Sequence, residues 1–200
     1  MSPDPERTLE FWFEFGSTYS YPAAMRIEAL AAARGVVLRW CPFLLGPIFQ
    51  EQGWNDSPFN LYPAKGRYMW RDLERICVAQ GIPLRRPSTF PRDGLLASRV
   101  ACSRAEEPWL PGFVRSVYQA NFAEDQDIAQ TETVARCLRA SGQDAESVLA
   151  NAQTPEAKQR LRSQTETAAT LGIFGAPSFR VGDELFWGND RLEDALAWAT

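Results

Sequence analysis

Ser17 is the residue of this sequence best placed to do chemistry. It lies in the run Leu9 to Tyr21, LEFWFEFGSTYSY, where one residue pattern gives way to another. Leu9, Phe11, Phe13 and Phe15 alternate with Glu10, Trp12 and Glu14, the period of two that a sheet imposes. Trp12 on the opposite face predicts that this face is partly covered as well. From Tyr19 to Arg34 an alanine-rich run carries Ile27, Leu30 and Ala31 at helical spacing, and Gly35 stands at the C′ position. A small hydroxyl therefore sits where a buried strand hands over to a helix N-terminus. Unpaired backbone N–H groups and the positive end of the helix dipole favour an anion there, a thiolate included. The same serine is also suited to cap the helix, and capping serines outnumber reactive ones.

The chain restricts what could assist that hydroxyl. It has no histidine, which excludes a Ser-His-Asp triad, a Cys-His pair and histidine-ligated metals. Its four cysteines, Cys41, Cys77, Cys102 and Cys137, form no C-x-x-C pair and fit no zinc spacing. They read as small buried hydrophobes, and no metal site is expected. Any base or nucleophile at Ser17 must come from elsewhere. Two hundred residues, 45% hydrophobic and 23% charged, suit one soluble domain or a domain with an insertion. A net charge of −4 with no basic block gives no support for nucleic-acid binding. The N-terminal MSPDPERTLEF shows no basic n-region and no long apolar h-region, and no apolar run approaches membrane-spanning length. A cytoplasmic location is expected.

The elements that must position Ser17 follow in order. Val36 to Phe43 reads as a second strand, which makes a parallel βαβ unit with the first. Leu44 to Pro63, rich in Gly, Pro and Asn, reads as a long loop with room for a helical turn. Pro63 opens a helix to Gln80 that Gly81 closes, with Met69, Leu73, Ile76 and Cys77 as its stripe. After a proline-rich connector, helices are predicted over Asp93–Arg104, Pro108–Ala123, Thr131–Ala140 and Ala145–Asn151. The last long one runs over Pro155–Leu171, capped by Thr154 and stopped by Gly172. Then β character returns in Ser178–Val181 and Glu184–Trp187, with Gly182-Asp183 as the turn and a final helix from Asn189-Asp190.

The order is β-α-β, a helical insert, then a proline-led β-β-α. This is the thioredoxin order. The predicted fold is α/β, a thioredoxin-like fold with an all-helical domain inserted after the second strand. Residues 1–45 and 168–200 form the thioredoxin-like part, and 46–167 the helical insertion. Strand 1 is then central. Ser17 falls where thioredoxin-like enzymes carry the first cysteine of C-x-x-C, and the tetrad here reads S-T-Y-S, Ser17 to Ser20. Pro177 falls where such folds carry a cis-proline facing that site; the alternative is a proline that merely opens an edge strand.

Three segments carry a resemblance to a known family. FWFEFGSTYSY resembles F-x-F-D-F-x-S-P-Y-x-Y, LGIFGAPSF resembles G-V-F-G-V-P-T-F, and DELFWGNDRL resembles D-E-M-F-W-G-N-D-R-L. These are motifs of 2-hydroxychromene-2-carboxylate isomerases and kappa-class glutathione transferases, in the DsbA-like branch of the thioredoxin fold. PAKGRYMWRDLERICVAQGIP is similar to the family's first insert helix. The resemblance spans nearly the whole chain. It implies a glutathione cofactor, with Ser17 donating to its sulfur and favouring the thiolate. The backbone of Ala176, beside Pro177, would pair with the cysteinyl part like an added strand. Trp187, Gly188, Asn189 and Asp190 would hold the γ-glutamyl end, Asp190 meeting the α-ammonium; Asp190 could also serve as a plain helix cap. The family also implies a homodimer.

The departures from the family pattern matter. Thr18 replaces the usual proline after the serine, and Glu14 the usual aspartate. A lysine that contacts substrate in the isomerases has Gln50 as its counterpart, and Phe90 stands near the place of a substrate tyrosine. Asn60 matches an asparagine of the substrate loop. The glutathione half of the site thus keeps the pattern while the substrate half changes. The resemblance implies a glutathione-dependent cis–trans isomerase acting on an unsaturated, aromatic-derived small molecule. A conjugate-forming transferase is the alternative. A thiol–disulfide oxidoreductase is disfavoured, because Ser17 and Ser20 cannot shuttle a disulfide. A non-catalytic glutathione-binding module is the remaining reading.

Overall fold

The structure, a computed structural model, describes residues 7–200. The reading of residues 1–6 as free of a leader, and the start of the first predicted domain segment, lie outside these described residues.

Four strands form one mixed sheet in the order β2-β1-β3-β4. β1 (Thr8–Phe13) pairs in parallel with β2 (Val37–Pro42) and antiparallel with β3 (Ser178–Val181), and β3 pairs antiparallel with β4 (Glu184–Trp187). β1 is therefore central, as its residues require. Leu9, Phe11 and Phe13 are fully buried on one face, and Trp12 is buried on the other. Each such fully buried side chain contributes roughly 1.5–3 kcal/mol of transfer free energy. Phe11 faces Trp40 of β2 and Phe179 of β3, its ring stacked on Phe179 with centroids 5.5 Å apart. Trp12 packs with Cys41, Phe43, Ile48, Ala168 and Ile173 in a smaller second cluster.

α1 (Ser20–Ala33) follows β1, and Gly35 after it takes φ 65°. Between β2 and β3 every regular element is helical: α2 (Leu45–Glu51), α3 (Pro58–Leu61), α4 (Pro63–Gln80), α5 (Leu95–Ser103), α6 (Leu110–Phe122), α7 (Thr131–Ala140), α8 (Ala145–Ala152) and α9 (Pro155–Thr170). A 3-10 turn, Asn189–Arg191, leads into α10 (Leu192–Trp198). The predicted long loop after β2 is corrected by α2 and α3. Ile48 gives α2 a buried anchor, and the Ser57 hydroxyl caps α3 by accepting from the Phe59 N–H at 3.3 Å. α4 keeps the predicted limits, with Pro63 at its start and Gly81 in the left-handed region. α9 continues to Thr170, beyond the predicted boundary at 167, and the Leu44 N–H donates to its Thr165 hydroxyl at 3.2 Å. The insertion is welded to the sheet through this helix.

The aromatic stack continues from β1 into the insertion. Phe13 meets Phe15, Phe15 meets Tyr118 and Phe113, and Tyr21 stacks on Phe122. All six are fully buried. α6 is thus the floor on which the end of β1 rests.

Candidate active site

The segment between β1 and α1 is held from several sides. The Ser17 N–H donates to Glu14 O at 3.0 Å, and the Tyr118 hydroxyl donates to the same carbonyl at 2.9 Å. The Asn121 side-chain N–H donates to Phe15 O at 3.1 Å. Asn121 is held in turn by Arg92, a buried arginine that donates to Asn121 Oδ1 at 3.2 Å and is ion-paired with Asp125. This is a chain of charge and amide groups running from the connector before α5 to the serine loop. Two glycines make the close approach possible. A Cβ on Gly16 would lie 2.9 Å from Arg92 O, and one on Gly94 would lie 2.8 Å from Phe15 Cβ.

Ser17 sits at the mouth of this loop. Its hydroxyl donates to Ala176 O at 2.9 Å and accepts from the Ser20 hydroxyl at 3.0 Å. The Ser20 N–H also reaches Ser17 Oγ at 3.4 Å, although the N-cap position of α1 itself is Tyr19. The Ala176–Pro177 peptide is cis, as expected of this position, and a second cis peptide joins Phe90 to Pro91. Ser178 Oγ donates to Gly175 O at 2.8 Å, which braces the proline segment from behind. Thr18, in the place of the family proline, is buried, and its hydroxyl has no partner among the described residues.

Trp187 lies over Gly175, where a Cβ would come within 2.5 Å of the indole Nε1. Its ring is 4.9 Å from that of Phe174. The Gly188 N–H donates to Pro177 O at 2.9 Å, tying the Trp187–Asp190 segment to the cis-proline. Gly188 takes φ 110°, a conformation glycine adopts without strain, and the Asp190 carboxylate fills the space a Cβ would need. Asn189 is buried and its Oδ1 accepts from Arg26, which also pairs with Glu193 at 2.6 Å. The Asp190 side chain is 74% exposed and pairs with Arg191 at 3.5 Å. Ser17, Ala176, Pro177 and Gly188 are thus joined by hydrogen bonds or sequence, and Trp187, Asn189 and Asp190 flank them.

The expected substrate residues stand differently. Gln50 is exposed near the end of α2, beside a Phe49–Trp54 ring pair 5.6 Å apart. Asn60 donates through Nδ2 to Asp56 and, at 3.2 Å, to Phe90 O, so it ties α3 to the connector. Phe90 packs edge-on against Trp70, and Arg86 stacks over the same indole at 4.9 Å from its centroid. Tyr19, from the serine tetrad, donates to Asp72 of α4 at 3.0 Å and packs against Phe59. Burial, together with the Asp72 carboxylate, drives its phenol pKa up. A contact between residues so far apart in sequence leaves no spacing signal. A separate groove of about 480 Å³, lined by Met25, Trp109, Arg115 and Ser141, lies between α1, α6 and α7 and includes none of these residues.

Glu14 carries an electrostatic signature that the sequence pattern missed. Its carboxylate accepts from the Gly16 N–H at 2.9 Å. Burial pushes its pKa up to about 7, and the Asp93 charge adds to this, while the Gly16 and Ser17 N–H groups act the other way. A charged residue between Phe13 and Phe15, at the end of the buried strand, was the available clue. The cysteine thiols are buried, and burial pushes each up, Cys41 to about 12 and Cys77, Cys102 and Cys137 to about 11. None is a ready nucleophile.

The chain as a whole has known relatives. The model of the DSBA-like thioredoxin domain matches residues 8–197. The chain is 30% identical over 190 residues to 2-hydroxychromene-2-carboxylate isomerase of Sphingobium xenophagum, covering 94% of this chain and 95% of that one. The chain belongs to the DsbA-like family that includes these isomerases. As a member of that family it is also 27% identical to human glutathione S-transferase kappa 1, over 96% of this chain and 90% of the relative. A solved 2-hydroxychromene-2-carboxylate isomerase superposes with a TM-score of 0.86 at 26% identity, covering 95% of this chain and 94% of that structure.

Proposed function

We propose that this protein is a glutathione-dependent cis–trans isomerase of the 2-hydroxychromene-2-carboxylate isomerase type, acting on an unsaturated, aromatic-derived small molecule. The observation that carries the reading is the Ser17 hydroxyl on Ala176 O across the cis peptide at Pro177, with serine instead of cysteine at both ends of the tetrad. A donor and an acceptor are set side by side there, matching a thiol and the amide of the same cysteinyl residue. Glutathione fits the donor set: Ser17 would meet its sulfur, Ala176 its main chain, and Trp187, Gly188, Asn189 and Asp190 its γ-glutamyl end. When bound, glutathione supplies a thiol nucleophile that this chain lacks, so that a conjugated double bond can be attacked, turned and re-formed.

The chain's own work is binding and charge stabilisation. Ser17 donates a hydrogen bond to a charged sulfur, which lowers the thiol pKa. The N-terminus of α1 adds positive potential at the same place. The substrate would be met by Phe90 and Asn60, which are joined by the Asn60 bond to Phe90 O, and by Gln50, exposed near the end of α2. The same reading takes the protein as a cytoplasmic homodimer that engages neither nucleic acid nor membrane; no helix of the described residues is long and apolar enough to cross a membrane.

A kappa-like transferase that keeps the adduct is the second reading, favoured by the likeness to glutathione S-transferase kappa 1. Product analysis separates the two. Incubation of glutathione and hydroxychromene carboxylate with the protein should give an isomer with all glutathione recovered. A stable conjugate would move the assignment to the transferase. A melting temperature unmoved by saturating glutathione would overturn both, because a ligand selective for the folded state must raise it.

A further inference from the structure

The Ser17 hydroxyl has one proton to give and two lone pairs to receive with. Its proton points to Ala176 O at 2.9 Å. Its lone pairs receive the Ser20 hydroxyl at 3.0 Å and, more weakly, the Ser20 N–H at 3.4 Å. Ser20 is fully buried in the first position of α1, so no solvent competes for its hydroxyl. The fully buried Tyr118 hydroxyl, fixed on Glu14 O at 2.9 Å, also lies within reach of Ser20. Ser20 is thereby enclosed by fixed groups, and its bond to Ser17 has little freedom to be lost.

The Ala176 carbonyl matters for the same reason. In the structure it is engaged by the Ser17 proton, yet it is the acceptor that a cysteinyl N–H would need. The carbonyl has a second lone pair to receive that N–H, but Ser17 has a single proton to give. The Ser17 proton has to turn about its Cβ–Oγ bond, from the carbonyl toward the sulfur, while the oxygen stays in place.

We propose that Ser20 is a positioning residue: its hydroxyl holds the Ser17 oxygen fixed and polarises it while the Ser17 proton turns from Ala176 O to the sulfur of bound glutathione. The proposal rests on the glutathione reading above. Its size can be estimated. A hydrogen bond to a charged group contributes about 1.5–3 kcal/mol, which corresponds to about one to two pKa units for Ser17. A second bond in series strengthens the first by about 10–30%, so Ser20 acting through Ser17 lowers the thiol pKa by about 0.1–0.6 units. A role in packing alone, as a small residue at the helix start, predicts no such shift.

The test is the titration of bound glutathione by ultraviolet thiolate absorbance. It uses wild type, Ser20→Ala, Ser20→Thr, Ser17→Ala and the Ser17→Ala/Ser20→Ala pair. Ser17→Ala should raise the thiol pKa by about one to two units. Ser20→Ala should raise it by about 0.1–0.6 units, and Ser20→Thr, which keeps the hydroxyl, should return the wild-type value. In the Ser17→Ala background the Ser20 change should do nothing further, because the oxygen it acts through is gone. Ser20→Gly serves if the alanine variant does not fold. A Ser20→Ala value equal to wild type overturns the proposal and leaves the glutathione reading intact. So does an equal rise in both backgrounds. Calorimetry showing that wild type binds no glutathione overturns both.

Discussion

The Glu14 carboxylate and the Gly16 amide are 2.9 Å apart, and this pair sits directly behind Ser17. The bond shapes the loop that presents the serine. It also places a carboxyl where burial and Asp93 both oppose its ionisation, which raises its pKa to about 7. One side chain is thereby structural in geometry and titratable near neutrality.

Stability should therefore depend on pH in a particular window. In the unfolded chain Glu14 ionises near 4.5, and in the fold near about 7. Between these values the folded state holds more protons, so stability falls as pH rises. The contribution is fully present below the lower value and is lost as pH passes the upper one, with a total of at most about 3 kcal/mol. Asp125, lowered to about 2 chiefly by its hydrogen bonds from Ser88 and Arg92, acts only on the acid side of this window. The chain has no histidine to titrate within it. Chemical denaturation at a series of pH values should show the fall for wild type and a flatter profile for Glu14→Gln. An unchanged profile in the variant would place the effect elsewhere.

Gly94 sets the spacing between the serine loop and the insertion. A methyl group there would lie 2.8 Å from Phe15 Cβ and 3.4 Å from a Glu14 carboxylate oxygen. The Gly94 backbone has φ −96°, which any residue adopts, so the conflict is one of space and not of backbone strain. Phe15 is fully buried and its Cβ cannot move without the chain. Overpacking of this kind costs about 1–3 kcal/mol. Gly94→Ala should lower the melting temperature by several degrees and weaken glutathione binding along with it. Gly46→Ala, where no atom lies within 4 Å of the added methyl, is the control and should be neutral or mildly stabilising. Equal melting temperatures for the two variants would mean that the connector yields freely.

These two residues also mark how far the sequence could be read. The alternation in LEFWFEF and the switch at Gly16-Ser17 fixed the central strand, its two covered faces and the start of α1, because period and propensity are local properties. Pro177 was legible too, because a proline before a returning strand is the residue that can take the cis peptide found there. α2 and α3 were not, since at seven and four residues they are too short to show a helical stripe and each contains a proline; α2 depends on burying Ile48 and α3 on the Ser57 cap. The Asp125–Arg92–Asn121–Phe15 chain was also hidden. Asp125, Arg92 and Asn121 carry no spacing signal that links them to Phe15, and only the fold brings them to one point.

The substrate half of the site offers the sharpest remaining test, and it turns on charge. A lysine at position 50 would bring a full positive charge to a substrate carboxylate; Gln50 brings a neutral amide. Charge-assisted hydrogen bonds are roughly twice as strong as neutral ones, a difference of about 1 kcal/mol. For a small anion that loss falls mainly on KM, since the addition chemistry occurs at the sulfur. This protein should therefore handle hydroxychromene carboxylate poorly and prefer a less anionic or differently shaped unsaturated compound. Gln50→Lys should lower KM for the carboxylate by about fivefold with kcat little changed. Arg86 is the competing source of charge, held over Trp70 beside Phe90 and in no ion pair among the described residues. Arg86→Ala measured alongside separates the two: if it raises KM while Gln50→Lys changes nothing, Arg86 is the cation that meets the substrate. A wild-type KM already in the micromolar range, insensitive to both changes, would show that no charge at this wall selects the substrate and would overturn the altered-substrate reading.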